Sequence, residues 1–151
     1  MTLQERLTED MKSSMKAGTA DRTGVLRLVR GAIKNEEIKV GHPLGDDEVL
    51  KVLAREVKQR KDSIEAYTAA GRSELAEAEA AEQKIIAEYL PQAMDETELR
   101  QLIDAVVAQV GATDMKQMGV VIGQVMQQVG TRADGGTVSK LVRERLAGGA
   151  A

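Results

Sequence analysis

Apolar residues recur along this chain every three or four positions, and no segment alternates strictly between apolar and polar residues. That period belongs to the α-helix and is incompatible with a half-buried strand. Leu3, Leu7, Met11 and Met15 form one stripe within residues 2–16. Thr2 is placed to cap this helix, with Glu5 completing a capping box and Gly18 closing it. A second helix is expected over residues 21–40, with Val25, Leu26, Val29, Ala32 and Ile33 as its apolar face and Arg22, Arg27, Arg30 and Lys34 mostly off it. After the turn-rich segment 41–45, the carboxylates of Asp46, Asp47 and Glu48 favour the positive end of a third helix dipole. That helix runs to Ala69 on a stripe of Val49, Leu50, Leu53, Val57, Ile64 and Tyr67.

Gly71 ends the third helix, and Ser73 is the expected N-cap of a fourth, residues 74–90. Ala76, Ala80 and Ala81 on it suit close packing against a neighbour, and Ile85, Ile86, Tyr89 and Leu90 are its strong apolar residues. Pro91 disfavours helix in the residue before it and marks the best boundary between an N-terminal module, residues 1–91, and a C-terminal one, residues 92–151. Three shorter helices are expected in the second module. The first follows a capping-box spacing of Asp95 and Glu98 and ends at Gly111. The second is capped by Thr113 or Asp114 and carries Met115, Met118, Val121, Ile122, Val125, Met126 and Val129. Residues 130–136 read as a loop, Thr137 as the cap of a last helix bearing Val138, Leu141, Val142 and Leu146, and residues 148–151 as a fraying tail. The fold class is therefore all-α: N-terminal helices with a long helical hairpin, then a three-helix bundle.

Composition narrows the chemistry. The 151 residues include no Cys and one His, so a disulfide framework, a thiolate metal site, a cysteine nucleophile and a two-histidine zinc site are excluded. Two aromatics, Tyr67 and Tyr89, without Phe or Trp, argue against a β-sandwich and against a platform for stacking bases. Both fall within apolar helical stripes and are expected in the core. No run approaches the roughly 20 apolar residues that span a bilayer, and the charged first residues are unlike a secretory signal. A soluble cytoplasmic protein without metal or cofactor is the expectation. Ser13 and Lys16 have a Ser-x-x-Lys spacing, but no partner segments for that chemistry occur. His42 reads as a solvated loop residue, and Gly119 and Gly123, four apart in a helix, as a packing seam.

Local charge says more than the net value of −3. Residues 51–61 hold five cations against Glu56. Residues 115–151 hold Lys116, Arg132, Lys140, Arg143 and Arg145 against Asp134 and Glu144, a local charge of +3 in an acidic chain. Such a basic end suits phosphate contact.

Several motifs, in order, carry a family resemblance. They are Asn35-Glu36-Glu37-Ile38, the run from Arg55 to Ile64, Ala70-Gly71-Arg72, Glu88-Tyr89-Leu90-Pro91-Gln92, Met115-Lys116-Gln117-Met118-Gly119 and Arg132-Ala133-Asp134-Gly135. Together they resemble the YqeY-like family over nearly the whole chain. The resemblance implies a two-module helical protein whose C-terminal module is similar to the tail domain of the B subunit of glutamyl/aspartyl-tRNA amidotransferase. That tail contacts tRNA, while other domains hydrolyse glutamine and transfer the amide. This chain has neither the amidase serine–lysine signature nor the kinase-like cradle, so the amidotransferase label carries over without the activity.

The expected function is thus a non-catalytic module contacting tRNA. Lys116, Arg132, Lys140 and Arg143, with Arg145 auxiliary, would meet phosphates, aided by helix N-termini near Thr113 and Thr137. Gly119, Gly123 and Gly135 would hold the module's shape. Gln127-Gln128, where a strongly gripping tail would carry lysines, limits the number of contacts. The alternatives are a module whose hairpin docks an amidotransferase or translation-related protein, and an amidotransferase-type enzyme.

Overall fold

The computed structural model describes residues 1–148; positions 149–151 of the expected fraying tail lie outside them. It is all-α, and its contacts divide it into two compact units, Met1–Pro91 and Gln92–Ala151.

The first unit contains α1 (Leu3–Ala17), α2 (Ala20–Val40), α3 (Asp46–Ala69) and α4 (Ser73–Ala87). Thr2 and Glu5 form the reciprocal capping box: Thr2 Oγ1 accepts from the Glu5 amide at 3.1 Å, and Glu5 accepts from the Thr2 amide at 2.8 Å. Gly18 and Gly41 end α1 and α2 with positive φ, which glycine adopts without steric cost. Leu7, Leu26, Val49, Leu53 and Ile86 are shielded from water at the centre, and Leu44 from the α2–α3 loop closes one side of the same core. The three residues between α3 and α4 fold these helices into a tightly packed hairpin.

Four expectations about this unit need correction. Ser73 is the first residue of α4 and not its cap; Arg72 holds the cap position and makes no side-chain bond there. The α4 helix stops at Ala87, and the chain tightens into a turn in which Tyr89 and Leu90 donate to the carbonyls of Ile86 and Ala87. Of the three alanines expected in close packing, Ala76 is buried whereas Ala80 and Ala81 are exposed.

That terminal turn delivers Tyr89 into the core edge, where it is 5% exposed. Its hydroxyl donates to Asp10 of α1 and accepts from Arg22 of α2 at 3.4 Å, and Arg6 lies 4.6 Å above its ring. Arg22 also pairs with Glu88 at 2.9 Å. One side chain thereby ties the end of α4 to both α1 and α2. Tyr67 is only half-buried, so the expectation that both tyrosines are core residues holds fully for Tyr89 alone.

The second unit contains α5 (Glu96–Val110), α6 (Met118–Val129) and α7 (Gly135–Ala147), with single 3-10 turns at Met115–Gln117 and Gly130–Arg132. Its core is aliphatic: Leu99, Ile103, Val106, Val121, Val125, Val138 and Val142 are all nearly inaccessible. Asp95 caps α5 by accepting from the Glu98 amide at 2.8 Å. Residues 130–136 are not a plain loop, and Thr137 does not cap α7. Asp134 does, accepting from the Thr137 amide at 3.0 Å and from the Thr137 hydroxyl at 2.7 Å. The carboxylate reaches the amide three residues on, so the helix begins at Gly135 despite the low helix propensity of two successive glycines.

Candidate nucleic-acid interface

The five cations expected to contact RNA all lie in the second unit, in different electrostatic states. Arg132 is held by its own unit. Its Nε donates to the Gln92 carbonyl at 2.9 Å, its guanidinium lies 3.6 Å from Glu98, and its carbonyl accepts from the Met94 amide at 2.8 Å. This residue fastens the segment entering α5 to the turn before α7. Arg145 donates to Asp104 of α5 at 2.8 Å. Arg100 bridges Glu96 and Glu144, at 2.9 and 3.3 Å.

Lys116, Lys140 and Arg143 differ. All three are exposed, and among the described residues none has a carboxylate within 4 Å. Lys140 and Arg143 are three residues apart on α7 and so share a face. The 3-10 turn bearing Lys116 packs against α7. The structure therefore separates two internally engaged arginines from three cations whose donors face solvent.

The expected phosphate contacts at helix N-termini are not available. At α7 the Asp134 carboxylate occupies the amide that would meet an anion, and at the 3-10 turn Asp114 accepts from the Lys116 amide at 2.9 Å. A phosphate there would meet a carboxylate.

The packing-seam reading of Gly119 and Gly123 is also corrected. A Cβ added at either position, or at Gly135, would meet nothing within 4 Å. The buried stripe of α6 is Val121, Val125 and Val129, and both glycines lie on the opposite, solvent side beside Val120, which is 54% exposed. Gly119→Ala and Gly123→Ala are therefore expected to raise stability by about 0.5–1 kcal/mol each, through helix propensity alone. Urea denaturation followed by circular dichroism would check this; a loss of stability would mean that the backbone there needs glycine.

Other sequence candidates have structural occupations. The Ser14 hydroxyl is buried, donating to the Met11 carbonyl at 2.8 Å and lying 2.6 Å from Thr23 Oγ1, while Ser13 and Lys16 are exposed on α1. His42 Nδ1 lies 2.9 Å from the Pro43 carbonyl. The basic run of α3 is partly internal. Arg60 is 7% exposed, donates to the Glu56 carbonyl at 3.1 Å, and reaches Glu82 of α4, whose oxygen is 3.3 Å from Nε but off the line of a hydrogen bond. Among the described residues no cluster of His, Asp or Glu could hold a metal ion, and no helix is long and apolar enough to cross a membrane. Arg27, Arg30 and Lys34, which the apolar pattern places off the buried face of α2, share one face of that helix by their i, i+3, i+7 spacing.

The Yqey-like protein family matches residues 4–146. "Altered inheritance of mitochondria protein 41, mitochondrial" of Meyerozyma guilliermondii is 31% identical over 131 residues, covering 83% of this chain and 69% of the relative. The protein of the same name in Clavispora lusitaniae is 33% identical, covering 84% of this chain and 74% of its own length. That of Kluyveromyces lactis is 38% identical over 74% of this chain and 59% of its own. These relatives are named as mitochondrial proteins, which overturns the cytoplasmic placement drawn from the sequence. The features behind that placement, a charged amino terminus and no cysteine, do not separate the cytosol from the interior of an organelle. With nearly its whole length matched in order, the chain belongs to the Yqey-like protein family.

Proposed function

We propose that the second unit contacts a structured RNA of the tRNA type by neutralising backbone phosphates, and that any chemistry on that RNA is performed by a separate amidotransferase or translation-related protein. The observation that carries this reading is the contrast among its cations. Arg100 and Arg145 pair with carboxylates of the same unit, and Arg132 with the Gln92 carbonyl and Glu98, whereas among the described residues Lys116, Lys140 and Arg143, on adjoining segments, have no such partner. Their charge stands in a region of local excess, +3 over residues 115–151. The side-chain-free backbone at Gly119 and Gly123 adds a smooth face on α6 that a partner can approach closely. With Tyr89 engaged internally and Tyr67 half-buried, recognition works through shape and phosphate geometry and not through base stacking.

A tRNA titration at low ionic strength tests the reading. Substituting Lys116→Ala, Lys140→Ala and Arg143→Ala together is expected to weaken binding by roughly 10- to 100-fold, because about three phosphate contacts disappear. Unchanged affinity, or no binding by the unaltered chain, would overturn it.

A further inference from the structure

The first unit carries a second cationic feature that the RNA reading does not use. Helices α1 and α2 leave an open groove of about 510 Å³, lined among others by Gln4, Thr8, Arg27, Arg30, Lys34 and Glu37. That volume is within the roughly 300–1,000 Å³ of small-molecule sites. Arg27, Arg30 and Lys34 form one stripe on α2, spanning about 10 Å along the helix axis.

The partners of the two arginines are unusual within this unit. Arg6, Arg22, Arg55 and Arg60 each lie within 4 Å of a carboxylate. Among the described residues, the side-chain hydrogen-bond partners of Arg27 and Arg30 are instead methionine thioethers: Met15 Sδ at 3.7 Å and Met11 Sδ at 3.4 Å. A thioether is a weak, uncharged acceptor, so both guanidinium forks retain nearly all their donor capacity. The one carboxylate of the groove, Glu37, is committed to the α2–α3 loop. It accepts from the Leu44 amide at 2.9 Å and from Gln4 Nε2 at 3.2 Å. Those two bonds, the Leu44 amide first, hold its pKa below the ordinary value. Gly31, between the cations, leaves the groove wall open, since a Cβ there would meet nothing within 4 Å.

We propose that the α1–α2 groove is a phosphate-binding site, in which Arg27 and Arg30 exchange the methionine thioethers for bidentate bonds to phosphate oxygens and Lys34 adds charge. Planar guanidinium forks match phosphate in the way this exchange requires. Gln4 and Thr8 line the groove beside the cations, with their own donors taken by Glu37, the Leu44 carbonyl and the Gln4 carbonyl. Phosphate chemistry of this kind is offered by a free phosphate or pyrophosphate group and by an RNA backbone, and the site stands independently of the second unit's contacts.

The test uses the full chain with methyl-labelled methionine, observed by NMR. Met11 and Met15 report the groove, and Met115, Met118 and Met126 report the second unit. Pyrophosphate and a short oligouridylate are titrated separately. Saturable shifts of the Met11 and Met15 methyls with either probe support the site; a response to pyrophosphate alone assigns a free phosphate group, and a response to the oligonucleotide assigns the backbone. Gly31→Glu places a carboxylate beside the cations, and glutamate favours helix more than glycine does, so this variant folds. It is expected to weaken the response by roughly tenfold or more through charge repulsion. Arg27→Gln with Arg30→Gln should abolish the response, and the triple substitution at Lys116, Lys140 and Arg143 should leave it intact. Absence of shifts at Met11 and Met15 with both probes, or full affinity in Gly31→Glu, would overturn the proposal.

Discussion

Replacing Leu53 with alanine is expected to cost the first unit about 3–4 kcal/mol, near the middle of the range for emptying a well-packed core site. Leu53 is 0% exposed and belongs to the cluster of Leu7, Leu26, Val49 and Ile86. It lies in the first half of α3, whose two ends are pinned by Asp46, accepting from the Leu3 amide at 3.0 Å, and by the hairpin turn into α4. Helices held in this way cannot readily close a cavity, so loss of dispersion contacts adds to loss of buried area. Against the 5–15 kcal/mol typical of whole domains, this is a large fraction. Both tyrosines belong to residues 1–91, so tyrosine fluorescence during urea denaturation follows this unit alone. Leu28→Ala, at a site 55% exposed, is the control and should change stability by no more than about 0.5 kcal/mol. Equal effects of the two substitutions would contradict the assignment of the core.

Tyr89→Ala is expected to be comparably severe, about 3–5 kcal/mol, because a buried ring and three polar contacts vanish together. Tyr89→Phe separates these contributions. It keeps the ring beneath Arg6 and deletes the hydroxyl shared by Asp10 and Arg22, at an expected cost of about 1–2 kcal/mol. Burial, and after it the bond to Asp10, push the phenol's pKa up to about 12. A raised folded-state value means that the native protein holds this proton more tightly than the unfolded chain, whose tyrosine titrates near 10. The contribution of the hydroxyl is therefore complete below about pH 10 and is lost as pH rises through about 12. Stability of the unaltered chain should fall more steeply over that interval than stability of Tyr89→Phe. Parallel alkaline unfolding curves would contradict the tighter hold of the native protein on this proton.

The helices were legible because their signals are local. Thr2 with Glu5, and glycines at 18, 41 and 111, act within one turn of the residues they stop or start. The α7 cap was misplaced because Asp134 and Thr137 stand three residues apart and both suit a cap; the stronger acceptor wins by taking both the amide and the hydroxyl of the weaker. The orientation of Gly119 and Gly123 was available from the four-residue spacing of Val121, Val125 and Val129, which turns the glycines outward. The burial of Arg60 was not, since Glu82 belongs to another helix and no local pattern pairs them.

The candidate interface divides along the same line. The basic end of the chain was visible in residues 115–151, but which cations are internally engaged was not. Arg145 meets Asp104 across 41 residues of sequence, and Arg132 meets Gln92 across 40. Long-range pairing of this kind engages two of the five expected contacts within the unit and leaves Lys116, Lys140 and Arg143.

The salt dependence of tRNA binding tests the central claim most directly. Each phosphate neutralised contributes a slope of about −0.7 to −0.9 to log affinity against log salt. With three uncommitted cations at work, the unaltered chain should show a slope of about −2 to −3, and the triple substitution at Lys116, Lys140 and Arg143 should bring it close to zero. Identical slopes for the two proteins, or no binding at low ionic strength, would contradict the account.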